Sequence, residues 1–278
     1  PRSTPLYSSA ASDVYKRQKS KGVKASKIQL VPTNMDFAKL CRNSVKRLSK
    51  SERTQIEVQA ITDFSSTSQL LKERLTTVFI SRLSDLPEDG SNRISNSSAK
   101  HVLFLEDLPV EAMASRLPQL DIRSSGRLHV ATNRSSEGIE ELVYRLLRGI
   151  TTPNGPQSIV DAWIESEQLV LLSACFKRLT IPVAKLERIL GTNKSKIKTF
   201  EFDEDGRFLY WPHADAHLGW EQLRQLINPA AAFAAKQASA DFWKRYGAAI
   251  RSFRDEKSLK QSDIAGAVSY THLRAHET

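Results

Sequence analysis

Between Lys27 and Ile150 the chain alternates short apolar runs with longer stretches of helical spacing, and nothing else in the sequence constrains its fold as strongly. KIQLV (27–31) reads as a strand. MDFAKLCRNSVKRL (35–48) reads as a helix with Phe37, Leu40, Val45 and Leu48 near one face. QIEVQAI (55–61) is a second strand, and the helix expected at 66–75 has Ser65 or Ser66 as its cap. TVFISRL (77–83) and HVLFL (101–105) are the third and fourth strands, joined by the polar, turn-rich loop 86–100. PVEAMASRLPQL (109–120) is helical, RLHVAT (127–132) is the fifth strand, and EGIEELVYRLLRGI (137–150) is a strongly amphipathic helix. About five strand–helix units in succession predict an α/β domain: a parallel sheet with helices on both faces. Ligands of such domains sit at the carboxyl ends of the strands.

Composition narrows the partners. The 278 residues suffice for one large domain or two modest ones, and a 40% hydrophobic fraction supplies a packed core. No apolar run reaches the roughly 18 residues of a bilayer span, so no membrane partner is expected. Cys41 and Cys175 lie far apart without ligand spacing, which argues against a disulfide framework or zinc site and fits a reducing cytoplasm. A formal charge of +10 and a pI of about 9.6 favour a polyanion such as nucleic acid.

Several strand ends resemble pieces of nucleotide-binding proteins. VLFLED (102–107) looks like a Walker B segment, HVATNR (129–134) resembles the sensor strand of AAA+ ATPases, and SSEGIEELV (135–143) is similar to the last guanine-loop region of small GTPases. The five-unit pattern also resembles a receiver domain. Chemistry opposes the catalytic versions. Phosphate needs a cradle of backbone N–H groups and a lysine, GxxxxGK[ST], and the sequence has none. After the first strand it reads VPTNMDF, without glycine. A receiver needs an acidic pair after its first strand and an acceptor aspartate after its third, where this chain has Thr33–Asn34 and Ser81–Arg82. Glu106 and Asp107 are therefore expected at a solvated strand end, and Asn133 in a turn. Residues 19–150 read as a flavodoxin/receiver-like or decayed NTPase-like domain with no catalytic residue and no cofactor.

TTPNGPQS (151–158) reads as a linker. Beyond it, strands are expected at IVDAWIES, QLVLLSA and KRLTIPV, a helix at VAKLERIL, a hairpin around DEDG, and a loop leading into WEQLRQLI. Residues 159–228 thus form a small α+β module. Arg178 to Val183, Phe202, Gly206, Tyr210-Trp211-Pro212, Asp215 and Trp220 to Leu223 resemble domain of unknown function 2442 over about 159–227. The resemblance implies a fold without an established activity, often found beside helix-turn-helix regulators and toxin–antitoxin-like genes. His213-x-Asp215-x-His217 is the metal candidate, because strand residues two apart share a face. It follows a proline and offers no fourth ligand, so no metal is expected; Asp215 reads as a turn residue, and Trp211 and Trp220 as core or interface.

Pro229–Tyr246 has high helix propensity and reads as a linking helix. Ile250, Arg251, Phe253, Arg254, Leu259, Gln261, Ile264 and Ala265 then resemble the opening of the Cro/cI-type helix-turn-helix family. That resemblance gives 229–266 a linking helix and the first part of a helix-turn-helix, with Arg251, Lys260, Gln261 and Ser262 as phosphate-contacting candidates. Residues 1–18 and 267–278 resemble translated sequencing-adapter ends, so no role is expected of His272, Arg274 or His276. The combined expectation is a fragment of a bacterial, cytoplasmic, non-enzymatic DNA-binding regulator. It is possibly antitoxin-like, with a homodimer, a toxin or a sensory protein as further partners. Two alternatives stand beside it: an interaction or sensory protein centred on the α/β domain, and a degenerate NTPase lacking Walker A.

Overall fold

The computed structural model describes residues 28–60, 76–82, 85, 101–106, 128–132, 135–152 and 155–259. Two compact units divide the chain. The first comprises residues up to Trp163 with Val170–Arg178 and Phe202–Leu209; the second comprises Ile164–Leu169, Leu179–Glu201 and the chain from Tyr210.

The first unit is built on a five-stranded sheet from β1 (Ile28–Pro32), β2 (Ile56–Val58), β3 (Thr76–Ser81), β4 (His101–Glu106) and β5 (Leu128–Thr132). All four pairings are parallel. The order β2-β1-β3-β4-β5 is that of the flavodoxin-like doubly wound sheets. Helices are described after β1 (α1, Met35–Arg47) and after β5 (α3, Ser136–Thr151), with the short α2 (Lys50–Arg53) following α1. The segments after β2, β3 and β4, including the helices expected at 66–75 and 109–120, lie outside the described residues. Five repeated strand–helix units are therefore not shown; the sheet and two of its helices are.

Local chemistry explains the two helices. The Asn34 side chain accepts from Phe37 N–H at 2.9 Å, and Ser135 Oγ accepts from Gly138 N–H at 3.1 Å, so each helix begins on a side-chain cap. Phe37, Ala38, Cys41 and Ser44 are the buried face of α1; Ile139, Leu142, Val143, Leu146 and Leu147 lie on that of α3. With Ile28, Leu30, Val78, Ile80 and Ala131 of the sheet they form one core. Ser44 Oγ donates to the Glu140 carbonyl at 2.9 Å, fixing α1 along α3.

Within the stretch read as a linker, Thr151 ends α3 and a turn follows at 155–157. Gly155–Gln157 is a tight 3₁₀ turn, and a Cβ on Gly155 would lie 1.7 Å from the Gly149 carbonyl oxygen. The chain folds directly back on the end of α3, and the two glycines permit that approach. β6 (Ile159–Glu165) and β7 (Gln168–Ser173) follow, joined by Ser166 and Glu167 with φ of 47° and 63°. Two left-handed central residues make the type I′ turn that suits an antiparallel hairpin. β8 (Arg178–Pro182) completes the sheet β6-β7-β8.

In the second unit α4 (Val183–Leu190) ends on left-handed Gly191, and α5 (Lys194–Ile197) starts on an Asn193 cap. β9 (Glu201–Phe202) and β10 (Phe208–Trp211) are the strands of the DEDG hairpin, whose residues Phe202–Leu209 are counted with the first unit, and β11 (Ala216–Gly219) joins them where the sequence reads as loop. α6 (Trp220–Ile227) and α7 (Pro229–Glu256) finish the described chain. Trp211 is 1% exposed and donates from Nε1 to the Ile197 carbonyl at 3.0 Å, so it belongs to the core.

Candidate functional site

In the order β2-β1-β3-β4-β5, chain connections diverge from β1 to either side, which makes the carboxyl ends of β1 and β3 the crevice where such sheets hold ligands. Four polar side chains meet there. Thr33 Oγ1 lies 3.0 Å from Ser81 Oγ and 3.4 Å from Asp85 Oδ2, and Asn34 Nδ2 donates to Asp85 Oδ2 at 2.7 Å. The Ser81 hydroxyl donates to the Arg82 carbonyl at 2.7 Å, and the Arg82 guanidinium stands 5.4 Å from the Phe37 ring centroid. Thr33 and Ser81 are buried, and the cluster hydrogen-bonds within itself. Among the described residues it presents one carboxylate, Asp85. Asp85 escaped the sequence reading, whose only cue was its place shortly after a strand. The Glu106 side chain, Asp107 and Asn133 lie outside what is described.

A second group is a buried pair. His129 Nε2 and Asp161 Oδ2 are 2.8 Å apart, each side chain 2% exposed, and the Trp163 ring centroid stands 5.4 Å from the imidazole. Asp161 Oδ1 also accepts from Ala162 N–H at 2.9 Å. Sequence spacing carries no sign of it, because the partners lie on strands of different sheets. Cys41 is buried, and that burial pushes its thiol up to about 12, which the charge of Arg42 only partly opposes.

The metal candidate loses the geometry on which it rested. His213 lies in a 3₁₀ turn (Pro212–Ala214), Asp215 is left-handed at φ 45°, and only His217 is on a strand. The shared strand face therefore does not form, and the exposed His217 ring stacks on Tyr210 with centroids 4.4 Å apart. Among the described residues no group of three His, Cys, Asp or Glu could hold a metal ion. Asp215 occupies a turn, a position its short side chain tolerates.

The linking helix and the expected first helix of the helix-turn-helix are one element. α7 runs unbroken for 28 residues through Gly247, with no buried residue along it. It stops in a defined way. Ser258 N–H donates to the Asp255 carbonyl at 3.2 Å, Leu259 N–H donates to the Arg254 carbonyl at 2.9 Å, and Ser258 is left-handed at φ 53°. Those two bonds form a Schellman turn, in which the residue after the left-handed one packs back toward the last helical turn. Arg251 is exposed on α7; Lys260, Gln261 and Ser262 lie outside the described residues.

Among the described residues no helix is long and apolar enough to cross a membrane. No family model matches the chain, no curated protein matches it, and no solved structure matches its fold.

Proposed function

We propose that this chain is a DNA-binding transcriptional regulator of bacterial type, antitoxin-like in organisation, in which α7 leads into a helix-turn-helix and the upstream units sense or pair. The observation that carries the reading is the end of α7. A helix bearing Arg251 and Arg254, with no buried residue along it, terminates in a Schellman turn. A helical hairpin needs a stop and a reversal at the end of its first helix, and that turn supplies both. The net charge of +10 supplies long-range attraction to a polyanion. The reading contains no catalytic step, since the polar groups at the sheet's switch point hydrogen-bond one another.

Phosphate contacts from α7 carry affinity but no sequence choice. On those contacts alone, binding is expected to be weak, with a Kd in the range of about 10⁻⁴ to 10⁻⁶ M, and indifferent to sequence. Gel shifts on two duplexes of unrelated sequence test this: equal, weak retardation is expected, and no retardation of either would contradict it. Titration with Mg²⁺–ATP and Mg²⁺–GTP is expected to give no saturable heat; saturable heat would favour the nucleotide reading of the α/β unit.

A further inference from the structure

Among the described residues, the large apolar side chains in the C-terminal half of α7 stand exposed. Phe242, Trp243, Tyr246, Ile250 and Phe253 are between 37% and 55% exposed. Their spacing of three and four residues puts them on one face, which continues toward the N-terminus through Ser239, Ala235 and Ala232. We propose that a second copy of this chain covers that face, with the two α7 helices antiparallel.

Three features single out this occupant. Trp243, Tyr246, Ile250 and Phe253 follow the three–four–three spacing of a helix–helix seam, which a partner helix fills along its length. Area is the second. At about 200 Å² per large side chain, the exposed fractions leave roughly 450 Å² on one copy. A symmetric pair with its flanking small residues covers close to about 1,000 Å², the lower bound for a specific interface. Shape is the third. The face is bulky in its C-terminal half and small in its N-terminal half. A parallel pair would set Trp243 against Trp243 and leave Ala235 facing Ala235 across a gap. The antiparallel pair sets Ile250 over the partner's Ser239 and Phe253 over the partner's Ala235 and the stem of its Lys236, with Trp243 and Tyr246 of both copies meeting at the centre.

Charge gives the pair a signature. Lys236 and Arg254 are separated by five whole turns at 3.6 residues each, so both lie on the side of the stripe next to Trp243 and Ile250. In an antiparallel two-fold pair like sides meet, and these cations from both copies line one edge. Their repulsion is screened by salt, so the dimer tightens as ionic strength rises. The same edge is a polyanion surface, the one part of this inference that rests on the DNA-binding reading.

The test uses the full chain without nucleic acid. Sedimentation velocity over about 1 to 100 µM is expected to show a monomer–dimer equilibrium that strengthens with NaCl. Trp243→Lys and Tyr246→Lys, on a helix with no buried residue, are expected to weaken it at least tenfold with unchanged helix content by circular dichroism. In a Cys175→Ser background, Ser239→Cys with Ile250→Cys is expected to form a covalent dimer on oxidation, and Ser239→Cys alone is not. A chain that stays monomeric throughout, with residues beyond Leu259 left as the cover, overturns the proposal. So does cross-linking by Ser239→Cys alone, the mark of a parallel pair, and so does a dimer that dissociates as salt rises. Loss of DNA binding with the dimer intact would count against the regulator reading and leave the dimer standing.

Discussion

Glu52 shows how one side chain caps its own helix and ties it to α3. Its Oε2 accepts from Ser49 N–H at 2.9 Å and from Ser49 Oγ at 2.6 Å, and Oε1 meets the Arg148 guanidinium of α3. Burial alone would push its carboxyl up, but the Ser49 donors and Arg148 outweigh that and hold it below the ordinary value of 4.5. A depressed folded value means that Glu52 contributes stability above that ordinary value, and that the contribution is lost as pH falls through the folded one. Glu52→Gln is therefore expected to lower stability at neutral pH. Its deficit relative to wild type is expected to shrink below about pH 4.5, as urea unfolding at several pH values will show. A deficit independent of pH would contradict the assignment. SKSER carries the serine-to-glutamate spacing of a helix start, a cue for α2 that went unread. Arg148, nearly a hundred residues on, leaves no such cue, because only the packing of α1 and α2 against α3 makes the two neighbours.

The hairpin between β9 and β10 makes the same point for an element. DEDG announces a turn, and the sequence reads it so. What the turn docks against is set elsewhere: Tyr144 Oη donates to Asp205 Oδ1 at 3.2 Å, Arg148 Nε donates to the same oxygen at 3.3 Å, and the Arg145 guanidinium covers the Phe202 ring at 4.1 Å. Gly206 closes the contact. Its φ is 69°, its carbonyl accepts from Ile159 N–H at 2.6 Å, and a Cβ there would lie 2.4 Å from the Ile159 carbonyl oxygen. Gly206→Ala is expected to destabilise the protein by about 2–4 kcal/mol, from the left-handed backbone and the clash together. A change within about 0.5 kcal/mol in denaturant unfolding would contradict this. Elements with strong periodicity were legible almost to the residue, α4 and α3 among them. β11 was missed because Pro212, Asp215 and Gly219 break its pattern. The unity of α7 was missed because Gly247 reads as a break, yet a lone glycine costs a helix only about 1 kcal/mol relative to alanine.

At the scale of the molecule, the alternation between Lys27 and Ile150 yielded the parallel sheet, while strand order became visible only with pairing. The first compact unit runs past Thr151–Ser158 to Trp163, and within that proline and glycine run Gly155–Gln157 is a tight turn against α3. The metal reading depends on several side chains converging, and spacing along a strand or loop does not guarantee that. Of the phosphate-contacting candidates only Arg251 is among the described residues, exposed on α7.

The central claim is that the C-terminal end of α7 approaches the phosphate backbone. Fluorescence anisotropy with a labelled duplex between about 50 and 200 mM salt, comparing wild type with Arg251→Gln/Arg254→Gln, measures it through the slope of log affinity against log salt. Loss of two phosphate contacts is expected to reduce that slope by about 2, with affinity falling alike on every sequence tried. An unchanged slope in the double variant would contradict the account.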